Sequence, residues 1–392
     1  MHETDPILSR VQEHIAELSE RIGARPSGSR EEKAAQELIA THLNKSGYSC
    51  HYQSFTYPAV PAFFPYLTLP GILLLVISLL PGAWKILLVG FPFLVAGLPD
   101  IHGWLIDQLA QKAHSQNLLA LPAGIAIDEV RVMLCAHVDS GRIIPRAGWW
   151  VQGILNNYMV ILEVCAWLLA IPGLLYITMP SVAEAIQPLC IPVFVFSGFL
   201  LIWLDIWQQM GYRGKTSPGA NDNASGAALC TALAEEYATT RGGVVEPIGF
   251  VFSGAEEAGL FGAKAFVRGN RSDKNKPVVI NLDMVGCGKR VGMVTRSGRL
   301  KPYNTDARLV QMVRSLEPDA LAVDYKYRGG DFIPFAQAGY LAISLEATDH
   351  GGVPITYHHA SDKAENIQPE VIAKLAHLVR QMIAGLLNEK QP

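Results

Sequence analysis

Five short polar clusters carry the residue types that bind catalytic metal ions. In chain order they hold His137 with Asp139, Asp222, Glu256 with Glu257, Asp283, and His358 with His359. Histidine nitrogens and carboxylate oxygens are the usual ligands of zinc in catalytic sites. Together the clusters could serve a pair of metal ions that share one aspartate, with one glutamate left over as a general base for hydrolysis.

Three of these clusters stand where predicted strands end. His137 and Asp283 directly follow the apolar runs 132–136 and 278–282, and Glu256 comes shortly after the run 249–252. In open α/β sheets, ligands gather at the carboxyl ends of the strands. His137 and Asp139 are two residues apart, so their side chains point to the same side, and Asp139 can accept the second N–H of a ligating imidazole.

Each cluster has a simpler explanation when taken alone. Asp222 lies in a Gly/Asn loop, where turn and cap residues are common. Adjacent glutamates are often a solvated pair, and histidine pairs are common on surfaces. However, Glu256 and Glu257 interrupt an apolar run, where unpaired carboxylates would be costly. The joint occurrence at strand ends and in adjoining loops therefore favours one shared site.

The polar part of the chain alternates between helical and strand patterns. Ser29 and Glu32 form a capping box at the start of a helical pattern. Helices are predicted over 5–22, 29–46, 225–237, 259–268, 307–316, 332–338 and 369–387. Strands are predicted over 48–57, 117–122, 129–136, 248–252, 278–283 and 340–345. This alternation predicts an α/β fold, with a mostly parallel mixed sheet covered by helices on both faces.

Two apolar blocks account for the high hydrophobic content. Hydrophobic residues make up 50% of the 392-residue chain, charged residues 17%, and the mean hydropathy is +0.21. One block covers 62–98 with a break at 81–85; the other holds 158–179 and 189–207 around the polar linker 180–187. Each stretch has roughly 15–22 residues, near the ~20 that span a bilayer. We therefore predict two transmembrane hairpins, with buried core helices as the alternative.

Details of both blocks fit an integral membrane protein. Tryptophans, which favour membrane interfaces, lie near the segment ends at Trp84, Trp149, Trp150, Trp203 and Trp207. Glu163, inside the third segment, would face other helices or a cavity. The predicted domains are a catalytic domain over 1–58, 115–142 and 213–392, a first hairpin insertion over 59–114, and a second over 143–212.

Charge and cysteine content exclude several classes of protein. A net charge of −3 and a pI near 6.4 speak against nucleic acid as a partner. Six cysteines without CxxC spacing predict neither a disulfide framework nor a zinc knuckle. The polar, acidic start predicts no cleavable signal peptide. Positive residues flank the hairpins on the catalytic side, which predicts a cytoplasmic catalytic domain; they are Lys112, Arg142, Arg146, Arg213 and Lys215.

The clusters, together with three further stretches, resemble the M28 family of zinc aminopeptidases. Those stretches are Arg25-Pro-Ser-Gly-Ser29, Gly330-Asp-Phe-Ile-Pro-Phe335, and Tyr357-His358 followed by Asp362 and Glu365-Asn366-Ile367. The resemblance covers about 10–58 and 115–390 and leaves the apolar blocks as insertions. It implies a zinc-exopeptidase-like fold, two Zn²⁺ ions and a peptide substrate. The oligomeric state is left undetermined.

The resemblance also implies a role for each polar residue. One zinc would take His137 and Asp283, the other would take Glu257 and His358, and Asp222 would bridge them. Glu256 would be the general base, and Asp139 would orient His137. His358 is preferred to His359 because the family's histidine stands four residues before the aspartate, here Asp362. The chain departs from the family at His359 and Lys363, where the family usually has threonine.

The resemblance predicts a metallo-aminopeptidase that removes N-terminal residues from peptides, and the apolar blocks predict that it is embedded in a membrane. A glutaminyl cyclase-like acyltransferase shares the fold and some ligands. A non-catalytic membrane receptor on a peptidase fold is a further alternative, although such proteins typically lose ligands or the base. The intact ligand set and Gly259-Leu-Phe-Gly262 after the glutamates favour the peptidase. Neither the cleaved residue nor the native metal follows from the sequence.

Overall fold

The computed structural model groups the chain into two compact units. The sheet unit comprises Met1–Tyr57, Ala113–Ile143 and Lys215–Pro392, and the apolar unit comprises Pro58–Lys112 and Ile144–Gly214. The structure describes residues 6–59, 67–80, 90–91, 111–144, 161–162, 164–166, 179–212, 215–239, 246–270, 275–298, 302–325, 329–349 and 356–388.

The described residues form one nine-stranded mixed sheet. Its strands are β1 Tyr48–Ala59, β2 Gln111–Pro122, β3 Val132–His137, β4 Ile248–Ser253, β5 Val278–Leu282, β6 Arg290–Ser297, β7 Tyr303–Asn304, β8 Leu321–Tyr325 and β9 Ala342–Thr348. They lie in the order β1-β2-β4-β3-β5-β9-β6-β7, with β8 beside β6. The neighbours β4, β3, β5 and β9 run parallel, so their carboxyl ends share one edge.

Helices of the sheet unit cover both faces of this sheet. They are α1 Pro6–Ala16, α2 Arg30–Lys45, α5 Gly226–Thr239, α6 Phe261–Gly269, α7 Ala307–Leu316, α8 Phe332–Gln337 and α9 Pro369–Asn388. The remaining two, α3 Thr68–Leu79 and α4 Pro180–Tyr212, belong to the apolar unit. Leu134 of β3 packs in one buried cluster with α1, α2, α5 and α9, whereas Met133 and Cys135 pack in another with α6 and α8. Successive residues of β3 thus pack into different cores, because side chains alternate between the two faces of a strand. The predicted fold class is confirmed.

Three strands have no counterpart in the sequence prediction. They are β6, β7 and β8, which continue the sheet beyond β9. Gly292 and the flanking Arg290 and Arg296 interrupt the apolar run by which a buried strand is recognised. The position of β6 depends instead on antiparallel pairing with β9 and parallel pairing with β8.

In the apolar unit, the described residues form α3 and α4. The predicted polar linker 180–187 is wrong, because these residues belong to α4, which begins at Pro180. Proline is tolerated in the first turn of a helix, and the glutamate, glutamine and alanines that follow favour helix. The second and third predicted spans lie largely outside the described residues, as do Trp84, Trp149, Trp150 and Glu163.

The surface of the apolar unit differs from that of the sheet unit. Among the described residues, all but one of the exposed large hydrophobic side chains belong to the apolar unit; the exception is Tyr52. The segment Pro188–Trp207 of α4 is long and apolar enough to cross a membrane, a criterion that core helices of soluble proteins also meet. Surfaces of this kind mark contact with lipid or with another protein.

Small residues allow α3 and α4 to pack closely. A Cβ at Gly71 would come within 2.8 Å of the Gly198 carbonyl, and one at Gly198 would come within 3.0 Å of the Gly71 carbonyl. Helices in membranes commonly meet at such positions. At the start of α3, the buried Asp205 of α4 accepts hydrogen bonds from the backbone N–H and the hydroxyl of Thr68.

Candidate active site

The predicted site residues meet at the shared edge of the parallel strands. His137 is the last residue of β3 and pairs in register with Ser253, the last residue of β4. Asp283 follows β5, on the other side of β3. Because these strands run parallel, their carboxyl ends bring His137, Asp283 and the loop with Glu256 together.

Asp222 reaches the same place from the turn that precedes α5. Asp362 holds this turn, since its carboxylate accepts the backbone N–H groups of Asn221 and Asp222 at 2.6 and 3.1 Å. The Asn223 amide bonds to the Leu282 carbonyl at 2.9 Å and so ties the turn to the end of β5. The Asp222–Asn223 peptide bond is cis.

The two carboxylate oxygens of Asp222 face different histidines. Its Oδ1 lies 3.3 Å from His137 Nε2, and its Oδ2 lies 3.5 Å from His358 Nε2. Asp283 Oδ1 is 3.6 Å from His137 Nε2, and Glu257 Oε2 is 2.9 Å from His358 Nε2. The donors thus form two neighbouring groups, each of which includes Asp222.

Asp139 connects His137 to the loop that carries the two glutamates. The Nδ1 of His137 lies 3.1 Å from the Asp139 carbonyl oxygen and 3.4 Å from its Oδ1. The Asp139 carboxylate also accepts the backbone N–H groups of Glu256 and Glu257 and the hydroxyl of Ser27. Asp139 is fully buried, so these bonds hold the loop against β3.

The last motif brings one of its two histidines to the site. His358 contacts Glu257 and Asp222, whereas the His359 Nδ1 lies 2.7 Å from the Ser361 hydroxyl. The ring of Tyr357 stacks on that of His358, with centroids 3.8 Å apart. These contacts fix the imidazole plane of His358.

Backbone strain is concentrated around these side chains. Four described non-glycine residues have positive φ: Ala255, Leu260, Met284 and His358. Ala255 precedes Glu256, and Met284 follows Asp283. Left-handed backbone at such residues costs on the order of 1–3 kcal/mol each and tends to cluster at functional sites.

The carboxylates and imidazoles of this site need a cation between them. Asp222 and Asp283 are 3% and 7% exposed, and Asp283 Oδ1 accepts no hydrogen bond from the described residues. Burial raises the pKa of Glu256 well above its usual range, with Glu257 adding to the effect and His137 opposing it. Burial lowers the pKa of His137, but the surrounding carboxylates, with Glu256 first, raise it well above normal. This crowding of carboxylates around two imidazoles suits divalent metal ions.

Sequence reasoning assigned no role to two buried residues that lie here. Asp331 accepts a short hydrogen bond from Ser253, and burial raises the Asp331 pKa to about 7. Arg25 is fully buried, and its guanidinium bonds to carbonyls on both sides of the site. Both stand in stretches that resemble a family motif, but their contacts depend on distant parts of the chain.

Comparison with known families agrees with this geometry. Residues 204–383 match the model of Peptidase family M28, a segment that contains Asp222, Glu256, Glu257, Asp283 and His358. The matched segment, which is just under half of the chain, is therefore similar to peptidase family M28.

Curated proteins similar to this chain carry aminopeptidase names. A probable leucine aminopeptidase of Arthroderma otae is 27% identical over 173 residues, which cover 42% of this chain and 46% of the relative. Aminopeptidase YwaD of Bacillus subtilis is 28% identical over 187 residues, or 45% of this chain and 40% of the relative. Each match thus spans less than half of the relative's own length.

Solved structures share the fold over nearly the whole chain. BSAP, a zinc aminopeptidase from Bacillus subtilis, has a TM-score of 0.57 at 16% identity and covers 98% of this chain and 96% of its own. A glutaminyl cyclase of Fimbriiglobus ruber has a TM-score of 0.56 at 15% identity, with 100% and 98% covered. At these identities, the likeness concerns the fold.

Proposed function

We propose that this chain is a two-zinc aminopeptidase that is anchored in a membrane. The observation that carries the proposal is the division of the Asp222 carboxylate, whose oxygens face His137 and His358 separately. One carboxylate between two imidazoles is the arrangement that a pair of metal ions requires. The match of residues 204–383 to the M28 family model and the aminopeptidase names of the curated relatives support the same reaction class.

In this proposal the two donor groups hold one zinc each. His137 and Asp283 form one group, Glu257 and His358 form the other, and Asp222 serves both. When bound, zinc would lower the pKa of water toward ~7 and polarise the scissile carbonyl. Asp139 keeps the Nε2 of His137 directed at the site, because its carbonyl oxygen occupies the Nδ1 side of the ring.

Glu256 is proposed as the general base. Its carboxylate lies in one cluster with the Glu257 carboxylate and the His137 imidazole, and Asp139 fixes its backbone N–H. Glu256 would take a proton from the attacking water and give it to the leaving amine. No other acid of the five predicted clusters lacks a ligand or positioning role in this scheme.

The decisive experiment compares Glu256→Gln with a matched control, Glu37→Gln, which changes an exposed glutamate of α2. Leucine 4-nitroanilide and its N-acetyl derivative serve as substrates for the full chain in detergent. We expect the enzyme to cleave leucine 4-nitroanilide, which has a free amine, but not its N-acetyl derivative. In Glu256→Gln we expect kcat to fall by a factor on the order of 10²–10⁴, with an unchanged zinc content. Loss of zinc from that variant would refute the roles given to Glu256 and Glu257.

The alternative functions predict other products. A peptide that begins with glutamine releases free glutamine under an aminopeptidase, but releases ammonia and leaves a cyclised N-terminus under a glutaminyl cyclase. A non-catalytic receptor releases neither product and has no need of stoichiometric zinc. One assay of glutamine, ammonia and zinc therefore separates the three.

The proposed anchor comprises two hairpin insertions, over 59–114 and 143–212, in the catalytic domain. Exposed apolar side chains on α3 and α4 support contact with lipid, and the length of α4 permits a span. Basic residues in the flanks, including Lys112, Arg142 and Lys215, favour a cytoplasmic catalytic domain. Protease added to intact cells should then leave that domain uncut, and digestion from outside would reverse the orientation.

A further inference from the structure

A second group of histidines and glutamates lies within the sheet unit, away from the predicted ligands. His14 of α1, Glu17 just after it and His42 of α2 each offer one ligand atom, and these atoms lie within 4.8 Å of one another. Glu235 of α5 completes the group. His14 and Glu17 are 5% and 9% exposed. We call these four residues the helix cluster.

Each glutamate of the helix cluster divides its carboxylate between an arginine and the imidazoles. Glu17 Oε1 accepts from Arg21 at 3.1 Å, and its Oε2 lies 3.4 Å from His14 Nδ1 and 3.1 Å from His42 Nε2. On the other side of the rings, Glu235 Oε1 lies 3.3 Å from His14 Nε2 and 3.4 Å from His42 Nδ1. Both rings are thus held between two carboxylates.

The spacing on the Glu17 side matches a tetrahedral metal site. Ligand atoms that bind one zinc at 2.0–2.1 Å are roughly 3.3 Å apart. The distances from Glu17 Oε2 to His14 Nδ1 and His42 Nε2, 3.4 and 3.1 Å, are close to this value. A ligating histidine usually gives its other N–H to a carboxylate, and Glu235 stands at that position for both rings.

The carboxylates on both sides of the two imidazoles call for a positive charge between them. A neutral imidazole presents a donor on one nitrogen and a lone pair on the other, so two flanking carboxylates require either a second proton or a cation. With a metal ion on the Nδ1 side of His14, its buried Nε2 would carry the proton and face Glu235 Oε1 at 3.3 Å.

We propose that His14, Glu17 and His42 bind a divalent transition metal such as zinc, with Glu235 orienting both imidazoles. These residues come from α1, α2, α5 and the turn after α1, so the ion would join three helices on one face of the sheet. This is a structural role, separate from peptide hydrolysis. The mixed imidazole and carboxylate donors suit zinc better than calcium or magnesium, which prefer oxygen ligands alone.

The test counts zinc after both histidine ligands of the proposed catalytic site have been removed. The background is the full-length double variant His137→Ala/His358→Ala, equilibrated with zinc and analysed by mass spectrometry for metal per chain. Into this background we place Glu17→Gln, His42→Gln and the control Glu13→Gln, an exposed glutamate of α1. Circular dichroism checks the fold of each protein.

We expect about one zinc per chain in the background and in Glu13→Gln, and none in Glu17→Gln or His42→Gln. Added zinc should raise the Tm of the background but not that of Glu17→Gln. A folded background that binds no zinc would overturn the proposal in favour of a cluster held by protons. Retention of zinc in both the Glu17 and His42 variants would overturn it as well. Since both catalytic histidines are absent from every protein compared, neither result depends on the proposed function.

Discussion

Replacement of Arg25 by lysine tests how the site loops are held. The Arg25 guanidinium donates to five carbonyl oxygens at 2.6–3.0 Å; they belong to Leu18, Gly23, Val138, Pro218 and Gly219. Val138 lies between His137 and Asp139, and Gly219 lies three residues before Asp222. Arg25 thus connects the two loops that carry those side chains.

The expected loss in the free energy of unfolding follows from the number of N–H donors on each side chain. A lysine ammonium has three N–H donors, so at least two of the five carbonyls would lose their partner. A buried polar group without a partner costs about 1–3 kcal/mol, so Arg25→Lys should lower the free energy of unfolding by about 2–6 kcal/mol. Burial lowers the Arg25 pKa to about 10, so the charge itself persists at neutral pH.

The assay is denaturant unfolding of the full chain in detergent. All seven tryptophans lie in the apolar unit, so circular dichroism follows both units while tryptophan fluorescence follows the apolar unit alone. Arg30→Lys, at an exposed arginine of the same segment, should change stability by less than about 0.5 kcal/mol. Because shifted loops misplace reacting groups, kcat/KM in Arg25→Lys should fall by a factor on the order of 10². Equal stability of the two variants would refute this reasoning.

Three further predictions concern single positions. His358→Ala should abolish activity and lower the zinc content, and His359→Ala should do less; the reverse order would mean that the last motif is misaligned by one residue. Gly141→Ala should also impair zinc binding, because a Cβ there would overlap the His358 ring, whereas Gly385→Ala, with its nearest neighbour 3.7 Å away, should not. Burial raises the pKa of Glu32 from 4.5 to about 8, so its contribution to stability is full below pH 4.5 and is lost as pH rises through 8. Glu32→Gln should therefore flatten the decline in unfolding free energy between pH 5 and pH 8, and a slope equal to that of the wild type would contradict this.

Local patterns in the sequence were enough to predict much of this protein. The capping box at Ser29 is present in the structure, where its hydroxyl accepts the Glu32 N–H at 3.1 Å. Apolar runs identified β3, β4 and β5, because a strand buried on both faces needs apolar residues in succession. Strand ends then indicated where His137, Glu256 and Asp283 would meet. The α/β class and the resemblance to the M28 family followed from these features.

Other features depend on tertiary structure alone. The strand β6 has little local signal and gains its place from β9 and β8. Arg25 and the helix cluster consist of residue types that normally lie on the surface, and nothing in their neighbourhood marks them as buried. Glu17 and Glu235 stand more than 200 residues apart in the chain, yet both contact His14 and His42. Such contacts arise when helices pack on a sheet, because packing places faces of distant segments together and no local periodicity records which faces will meet.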